Sequence, residues 1–218
     1  MNRKEKATAL IEGLERQYPE ALCALESGGD PFKLLVMAML SAQCTDARVN
    51  AVSVGLFARF PDVSAMAAAD EGEIEELIRS CGLFRTKAAD IRATARRLLE
   101  VYDGSVPSDM EALLSLPGVG RKIANLIRGD VFGLGGIVAD THCIRLCGRF
   151  GFCEEGMRDP LKVERILSEV IPTEAQSDFC HRLVLFGRDV CRARDPDCGA
   201  CPLSHLCARQ GKKPEEKA

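Results

Sequence analysis

Apolar residues recur along this chain at helical spacing, and the pattern predicts helices almost from end to end. Leu10, Ile11, Leu14 and Tyr18 line one side of a first helix that Asn2 is placed to cap. Asp30-Pro31 is a cap followed by proline at the first helical position, and it opens residues 32–40, apolar on nearly every side. A helix of that kind is central and buried, with Met37 and Met39 as core. Polar residues then follow abruptly, Ser41-Ala42-Gln43-Cys44-Thr45-Asp46, as at the edge of a cleft or surface. Further helices are expected over residues 46–59, 64–69, 70–80 and 86–102, with Asp70 and Glu73 as a capping box. After residue 140 the pattern predicts helices over 141–149 and from Asp159-Pro160, with Leu161, Ile166, Leu167 and Val170 inward.

One stretch organises the rest. Ser108-Asp109-Met110-Glu111 reads as a capping box that starts a helix with Met110, Leu113 and Leu114 on one face. Pro117 and Gly118 stop it. Gly118 and Gly120 permit a tight hairpin with positive φ and no side chains in the way, and a second helix opens near Arg121. Backbone N–H groups at such a hairpin and at a helix N-terminus suit a phosphate. Lys122 falls in the first turn of that second helix, where the helix dipole disfavours its charged form. A lysine that must lose its proton to attack is suited to nucleophilic catalysis there. Asp140 lies eighteen positions further on, at the end of an apolar, glycine-rich stretch, and is placed to cap the next helix.

Composition sharpens this picture. The 218 residues are 46% hydrophobic, with no run of eighteen apolar residues and no signal-peptide pattern, which predicts a soluble cytoplasmic protein without a membrane partner. The net charge of −3 at first disfavours nucleic acid, but Arg121, Lys122, Arg128, Arg145 and Arg149 gather around the candidate site, and a local basic stripe is what binding needs. Eleven cysteines, an odd number, argue against a disulfide framework. Four of them, Cys191, Cys198, Cys201 and Cys207, read C-x6-C-x2-C-x5-C within seventeen residues. Structural zinc usually takes two separated C-x2-C pairs. Four thiolates in one compact loop suit a [4Fe–4S] cluster better, although the spacing alone leaves both metals open. The other seven cysteines read as small core hydrophobes, and residues 210–218, charged and without an apolar face, as a disordered tail.

Leu116-Pro117-Gly118-Val119-Gly120-Arg121-Lys122 followed by Asp140-Thr141-His142-Cys143-Ile144-Arg145, with the cysteine spacing, resembles the endonuclease III family of helix-hairpin-helix DNA glycosylase/AP lyases over most of the chain. The resemblance implies an all-α, two-lobed helix-hairpin-helix DNA glycosylase fold with a C-terminal [4Fe–4S] cluster loop on the four cysteines. It implies a six-helix barrel domain over residues 24–134 and a discontinuous iron–sulfur helical domain from 1–23 and 135–209, with bent DNA in the cleft between them. By the same resemblance Lys122 is the Schiff-base nucleophile and Asp140 the catalytic carboxylate. Gln43, in a segment like the family's LSAQ-x-TD motif, fills the gap left by the flipped base. Leu83 is an apolar wedge, Asp46 lies near the lysine, and Gly118, Gly120, Arg121, His142, Arg145 and Arg194 meet DNA. Lys87, Arg85 and Arg192 are added as phosphate contacts. A monovalent cation at the hairpin carbonyls is a further expectation. The implied function is base excision repair of oxidised or ring-saturated pyrimidines and abasic sites in double-stranded DNA, by a monomer associated with the nucleoid in a prokaryote. The rival readings are a non-catalytic hairpin DNA-binding module, a mismatch or other-base glycosylase of the same superfamily, and a zinc-stapled regulatory protein.

Overall fold

The computed structural model describes residues 1–209, so the tail assigned to 210–218 lies outside the described residues. The described residues form eleven α-helices and no strand: α1 (Arg3–Gln17), α2 (Pro31–Leu40), α3 (Asp46–Arg59), α4 (Val63–Ala68), α5 (Glu71–Ile78), α6 (Phe84–Tyr102), α7 (Met110–Leu114), α8 (Arg121–Asp130), α9 (Thr141–Phe150), α10 (Pro160–Ser168) and α11 (Gln176–Asp189). No helix among them is long and apolar enough to cross a membrane. The chain divides into two compact units, Cys23–Gly133 and a second made of Met1–Leu22 with the chain from Leu134 onward.

The 23–133 unit is built around α2, which starts where Asp30 accepts from the amides of Phe32 and Lys33 and is buried from Leu34 to Leu40. Seven helical segments, α2 to α8, lie in this unit, and α7, the first arm of the hairpin, is a helix of five residues. Helix α6 is the longest, at nineteen residues, and packs Ala88, Ile91, Ala95 and Leu98 inward. Two caps differ from those read in the sequence. Asp109 rather than Ser108 starts α7, accepting from the amides of Glu111 and Ala112. Asp70 caps α5 alone, since Glu73 turns outward to pair with Arg59 at 2.9 Å. A carboxylate at the third helical position serves a cap only when no better partner is in reach.

The second unit joins sequence-distant helices. Arg182 of α11, 7% exposed, donates Nε to the Tyr18 carbonyl at 3.1 Å and pairs with Glu15 at 3.4 Å, so it closes the C-terminal end of α1. Leu203 packs against Gly13 so closely that a Cβ there would stand 2.4 Å from its Cδ2, and the leucine would have to shift. Phe150 of α9 stacks on Phe186 of α11 at 6.1 Å.

Three of the buried cysteines, Cys81, Cys143 and Cys180, carry raised thiol pKa values. Burial and the adjacent Cys44 push Cys81 up to about 11. Cys143 and Cys180, hydrogen-bonded to neighbouring thiols in the second unit, stand well above the usual thiol value. At pH 8 their thiolate fraction is negligible. Folded protein treated with iodoacetamide at pH 8 is therefore expected to leave these three unmodified in a tryptic peptide map. Rapid labelling of any of them would contradict the burial described here.

Candidate active site and metal centre

The hairpin of the 23–133 unit is tightened by the Val119 amide donating to the Leu116 carbonyl at 3.1 Å. Gly118 takes φ +71, and a Cβ there would meet Cβ of Asp90 at 2.8 Å, so both the backbone and the space require glycine. Gly120 differs from the expectation. It caps α8 in an extended conformation with φ −93, and a Cβ would meet nothing within 4 Å. The fold itself does not need its missing side chain. Thr94 of α6 donates to the Pro117 carbonyl at 2.7 Å, holding the hairpin onto that helix. Arg121 and Lys122 follow in the first turn of α8, both exposed. The α8 face that carries Ala124 and Ile127 is buried, which fixes the direction in which the first turn presents Lys122.

Two further loops of this unit share an unusual backbone. Gln43, just past α2, has φ +53, and Leu83, at the N-cap of α6, has φ +59. Non-glycine residues adopt this left-handed region rarely and at a cost of about 1–3 kcal/mol. Both side chains are exposed, Leu83 by 58%. A strained and exposed leucine has no role in the core. Lys87 is not the phosphate contact that its charge suggested. It is 6% exposed, and its Nζ donates to the carbonyls of Leu40 at 2.8 Å and Ala42 at 2.7 Å. Burial lowers its pKa. Arg85 is exposed and reaches toward Glu75 at 3.8 Å, and Asp46, half-buried, opens α3.

In the second unit Asp140 caps α9, its Oδ1 accepting from the Cys143 amide at 2.7 Å. Arg145 and Arg149, counted in the sequence as parts of a basic stripe, are turned to internal work. Arg145 donates to the carbonyls of Gly187 at 3.0 Å and Cys191 at 3.1 Å. Its guanidinium and the ring of His142 crowd Gly187, where a Cβ would come within 2.5 Å of His142 Nδ1. Arg149, 6% exposed, donates to the carbonyls of Cys191 at 3.2 Å, Arg192 at 2.7 Å and Ala193 at 3.2 Å, and to the Cys191 sulfur at 3.2 Å. Its own carbonyl accepts from the Ala208 amide at 2.9 Å. One residue thus ties both ends of the cysteine loop. Arg192 is likewise engaged, with the carbonyls of Asp189 at 3.1 Å and Asp195 at 2.9 Å, whereas Arg194 is exposed.

The four cysteines of the loop converge. Burial raises the Cys201 thiol, and negative charge on Cys191, Cys207 and Cys198 raises it further, against the lowering bond to the Leu203 backbone. Such mutual repulsion is what a bound cation relieves. No three of these sulfurs lie within 4.8 Å of one another. A single tetrahedral zinc at about 2.3 Å from each sulfur would hold them roughly 3.8 Å apart. The set of four thiols in one loop fits a polynuclear iron–sulfur cluster, and the Arg149 guanidinium beside a sulfur suits thiolate ligands.

Comparison with known proteins agrees with this geometry. Residues 36–173 match the HhH-GPD superfamily of base excision DNA repair proteins. Residues 191–207 match the iron-sulfur binding domain of endonuclease III. The endonuclease III of a Synechocystis species is 46% identical over 94% of this chain and 93% of its own length. The chain belongs to the endonuclease III family. A solved structure of a non-covalent endonuclease III–DNA complex superposes with a TM-score of 0.90 at 41% identity, covering 100% of both chains. A trapped endonuclease III–DNA covalent intermediate gives 0.89 at 42% identity, over 97% of this chain and 98% of that one. The chain is thus a base-excision-repair DNA glycosylase/AP lyase that carries an iron–sulfur cluster in its C-terminal loop. A non-catalytic hairpin module, a mismatch glycosylase and a zinc protein are not favoured.

Proposed function

We propose that the chain excises oxidised or ring-saturated pyrimidines from duplex DNA and cuts the strand at the resulting abasic site, with Lys122 as nucleophile and Asp140 as the assisting carboxylate. The observation that carries this reading is an exposed lysine in the first turn of α8, directly behind a glycine hairpin with a bare backbone. A base inside a duplex is out of reach and must be flipped. Gln43 then fills the vacancy and Leu83 parts the neighbouring step, as inserted apolar side chains do in kinked DNA. The hairpin amides and the N-terminus of α8 hold a backbone phosphate, with Arg121 and Arg194 adding charge and His142 a polar contact. A DNA substrate sets this work in the cytoplasm, at the nucleoid.

The neutral amine of Lys122 attacks the sugar C1′, and the bond from C1′ to the base breaks. Opening of the sugar ring, with O4′ taking a proton, leaves a Schiff base on Nζ. This makes the C2′ proton acidic; its removal expels the 3′ phosphate, and water then frees the lysine. Asp140 stabilises positive charge on the sugar and moves protons. The cluster, read as [4Fe–4S] on Cys191, Cys198, Cys201 and Cys207, supplies iron–thiolate bonds that close the 191–207 loop. Arg145, committed to carbonyls, orients that loop rather than gripping phosphate.

Borohydride reduction in the presence of a duplex with one abasic site or one thymine glycol tests this reading. A covalent protein–DNA band on both is expected. No band from folded, cluster-loaded protein on either DNA would replace the reading with a DNA-binding module. The two hairpin glycines give a second expectation. Gly118→Ala should cost about 1–3 kcal/mol of stability, from its positive φ and the contact with Asp90. Gly120→Ala should leave the melting temperature unchanged yet weaken binding to abasic-site DNA, because its Cβ enters space that only a ligand fills. Equal effects of the two on melting temperature would count against this division of roles.

A further inference from the structure

Resting on the reading that Gln43 and Leu83 enter the duplex, we propose that Lys87 is a positioning residue that sets both of these side chains for insertion before DNA arrives. Its ammonium stands between the carbonyls of Leu40 and Ala42, at 2.8 and 2.7 Å. The first ends α2, and the second directly precedes Gln43. The last carbonyls of a helix have no partner within it and carry its negative dipole end, so a cation is favoured there. The same residue also reaches the other loop, through its backbone. The Lys87 amide donates to the Leu83 carbonyl at 3.0 Å and forms the first bond of α6. Thus the side chain anchors the peptide before one left-handed residue, and the main chain anchors the other left-handed residue itself.

The two loops also lie side by side: a Cβ on Gly82 would lie 3.5 Å from the Gln43 carbonyl, and the thiols of Cys44 and Cys81 hydrogen-bond to each other. Left-handed backbone at a glutamine and a leucine persists only where the surroundings over-determine it. No side chain caps α6 at Leu83. Lys87 supplies the missing constraint. At 6% exposure it lies too deep to be a surface contact to phosphate. Further along α6, Thr94 holds the Pro117 carbonyl and Asp90 backs Gly118. One helix therefore spaces the intercalating loops and the phosphate-binding hairpin along its length. In this arrangement Lys87 acts on the opening of the duplex and not on the chemistry at C1′.

The test separates those two steps. Lys87→Met replaces the ammonium by an apolar chain of similar length. Two rates are measured on cluster-loaded protein: single-turnover excision from a thymine glycol duplex, and strand cleavage of a single-stranded abasic oligonucleotide, which needs no duplex opening. The duplex rate is expected to fall at least about twentyfold while the single-strand rate stays within about threefold. In a Gln43→Ala background the same substitution should cost less than about threefold, because residues that act as one unit are not additive. If Lys87→Met does not accumulate as folded protein, Lys87→Gln serves. Its amide is one bond too short to reach both carbonyls, and a loss of about fivefold or more on the duplex alone is expected. A duplex rate that is kept, or equal losses on both substrates, or full additivity with Gln43→Ala, overturns the positioning role. A wild-type protein that cleaves the abasic oligonucleotide but leaves the thymine glycol duplex intact instead refutes the substrate reading on which the proposal rests.

Discussion

Lys122→Gln is expected to abolish the borohydride-trapped band and to lower excision and strand cleavage by about a thousandfold or more. Loss of a covalent nucleophile removes the intermediate itself, and such effects lie at the large end of the range for catalytic residues. Lys122 is exposed in the first turn of α8, and the core side of that helix is carried by Ala124, Asn125 and Ile127. Glutamine therefore keeps the helix, and the melting temperature should not move by more than about a degree, as for surface substitutions away from special features. Binding to abasic-site DNA should persist. The informative comparison is Asp140→Asn. Its Oδ1 can still accept from the Cys143 amide, the bond that starts α9 at 2.7 Å, while the negative charge is gone. That variant should stay folded and trap slowly. A Lys122→Gln protein that still trapped at the wild-type level would assign the nucleophile to another amine.

Arg149→Met has the second large effect, and it acts on the cluster. The guanidinium holds three consecutive carbonyls, those of Cys191, Arg192 and Ala193, and its NH1 lies 3.2 Å from the Cys191 sulfur. Methionine takes this donor from the carbonyls of Arg192 and Ala193, leaves that of Cys191 to Arg145 alone, and takes a positive charge away from a set of thiolates. Leaving a carbonyl short of its donor costs about 1–3 kcal/mol. The loop also loses the residue that orients a metal ligand, which typically costs about 10- to 100-fold in metal affinity. The purified variant should therefore carry less iron, lose its brown colour faster in the presence of a chelator, and melt lower than wild type. Full iron content with an unchanged melting temperature would show that the four cysteines hold the loop unaided. Because the Arg149 carbonyl receives the Ala208 amide, the backbone part of the brace survives the substitution. Some cluster binding should therefore remain.

Most helices were legible because each carries its own signal at short range. Asp30 before Pro31, Asp159 before Pro160 and Asn2 act as caps in the fold as they read in the chain, and Glu5 completes a box with Asn2 that was not read there. The buried stretch 34–40 is apolar enough to be recognised without knowing what covers it. Where two neighbouring residues competed for one task, sequence alone chose less well. Ser108 and Asp109 are both competent caps, and Asp109 won. Glu73 was placed to complete a box with Asp70 but met Arg59, fourteen residues away in the chain. The charges were the least legible. Arg145 and Arg149 read as parts of a basic stripe, and Lys87 and Arg192 as phosphate contacts, yet each donates to backbone carbonyls. Their acceptors are the ends of helices and the peptides of the cysteine loop, which no local pattern locates. Lys87 could have been noticed as a charge amid the apolar face of α6, beside Ala88 and Ile91, but its partner lies 47 residues back.

Sequence by itself determined the chemistry on offer: a lysine behind a glycine hairpin, an aspartate at a helix start, and four cysteines at fixed spacing. These are short-range facts, since hairpins, caps and a metal loop are each made within about twenty residues. Only the tertiary structure decided which cations are free to meet a ligand and which hold the protein together, and which glycine is demanded by the fold. It also decided that Gln43 and Leu83 both take left-handed backbone, and that a buried lysine holds the carbonyl before Gln43. The physical reason is that a buried carbonyl with no partner costs more than a surface charge gains. The positions of those carbonyls exist only once the helices have packed.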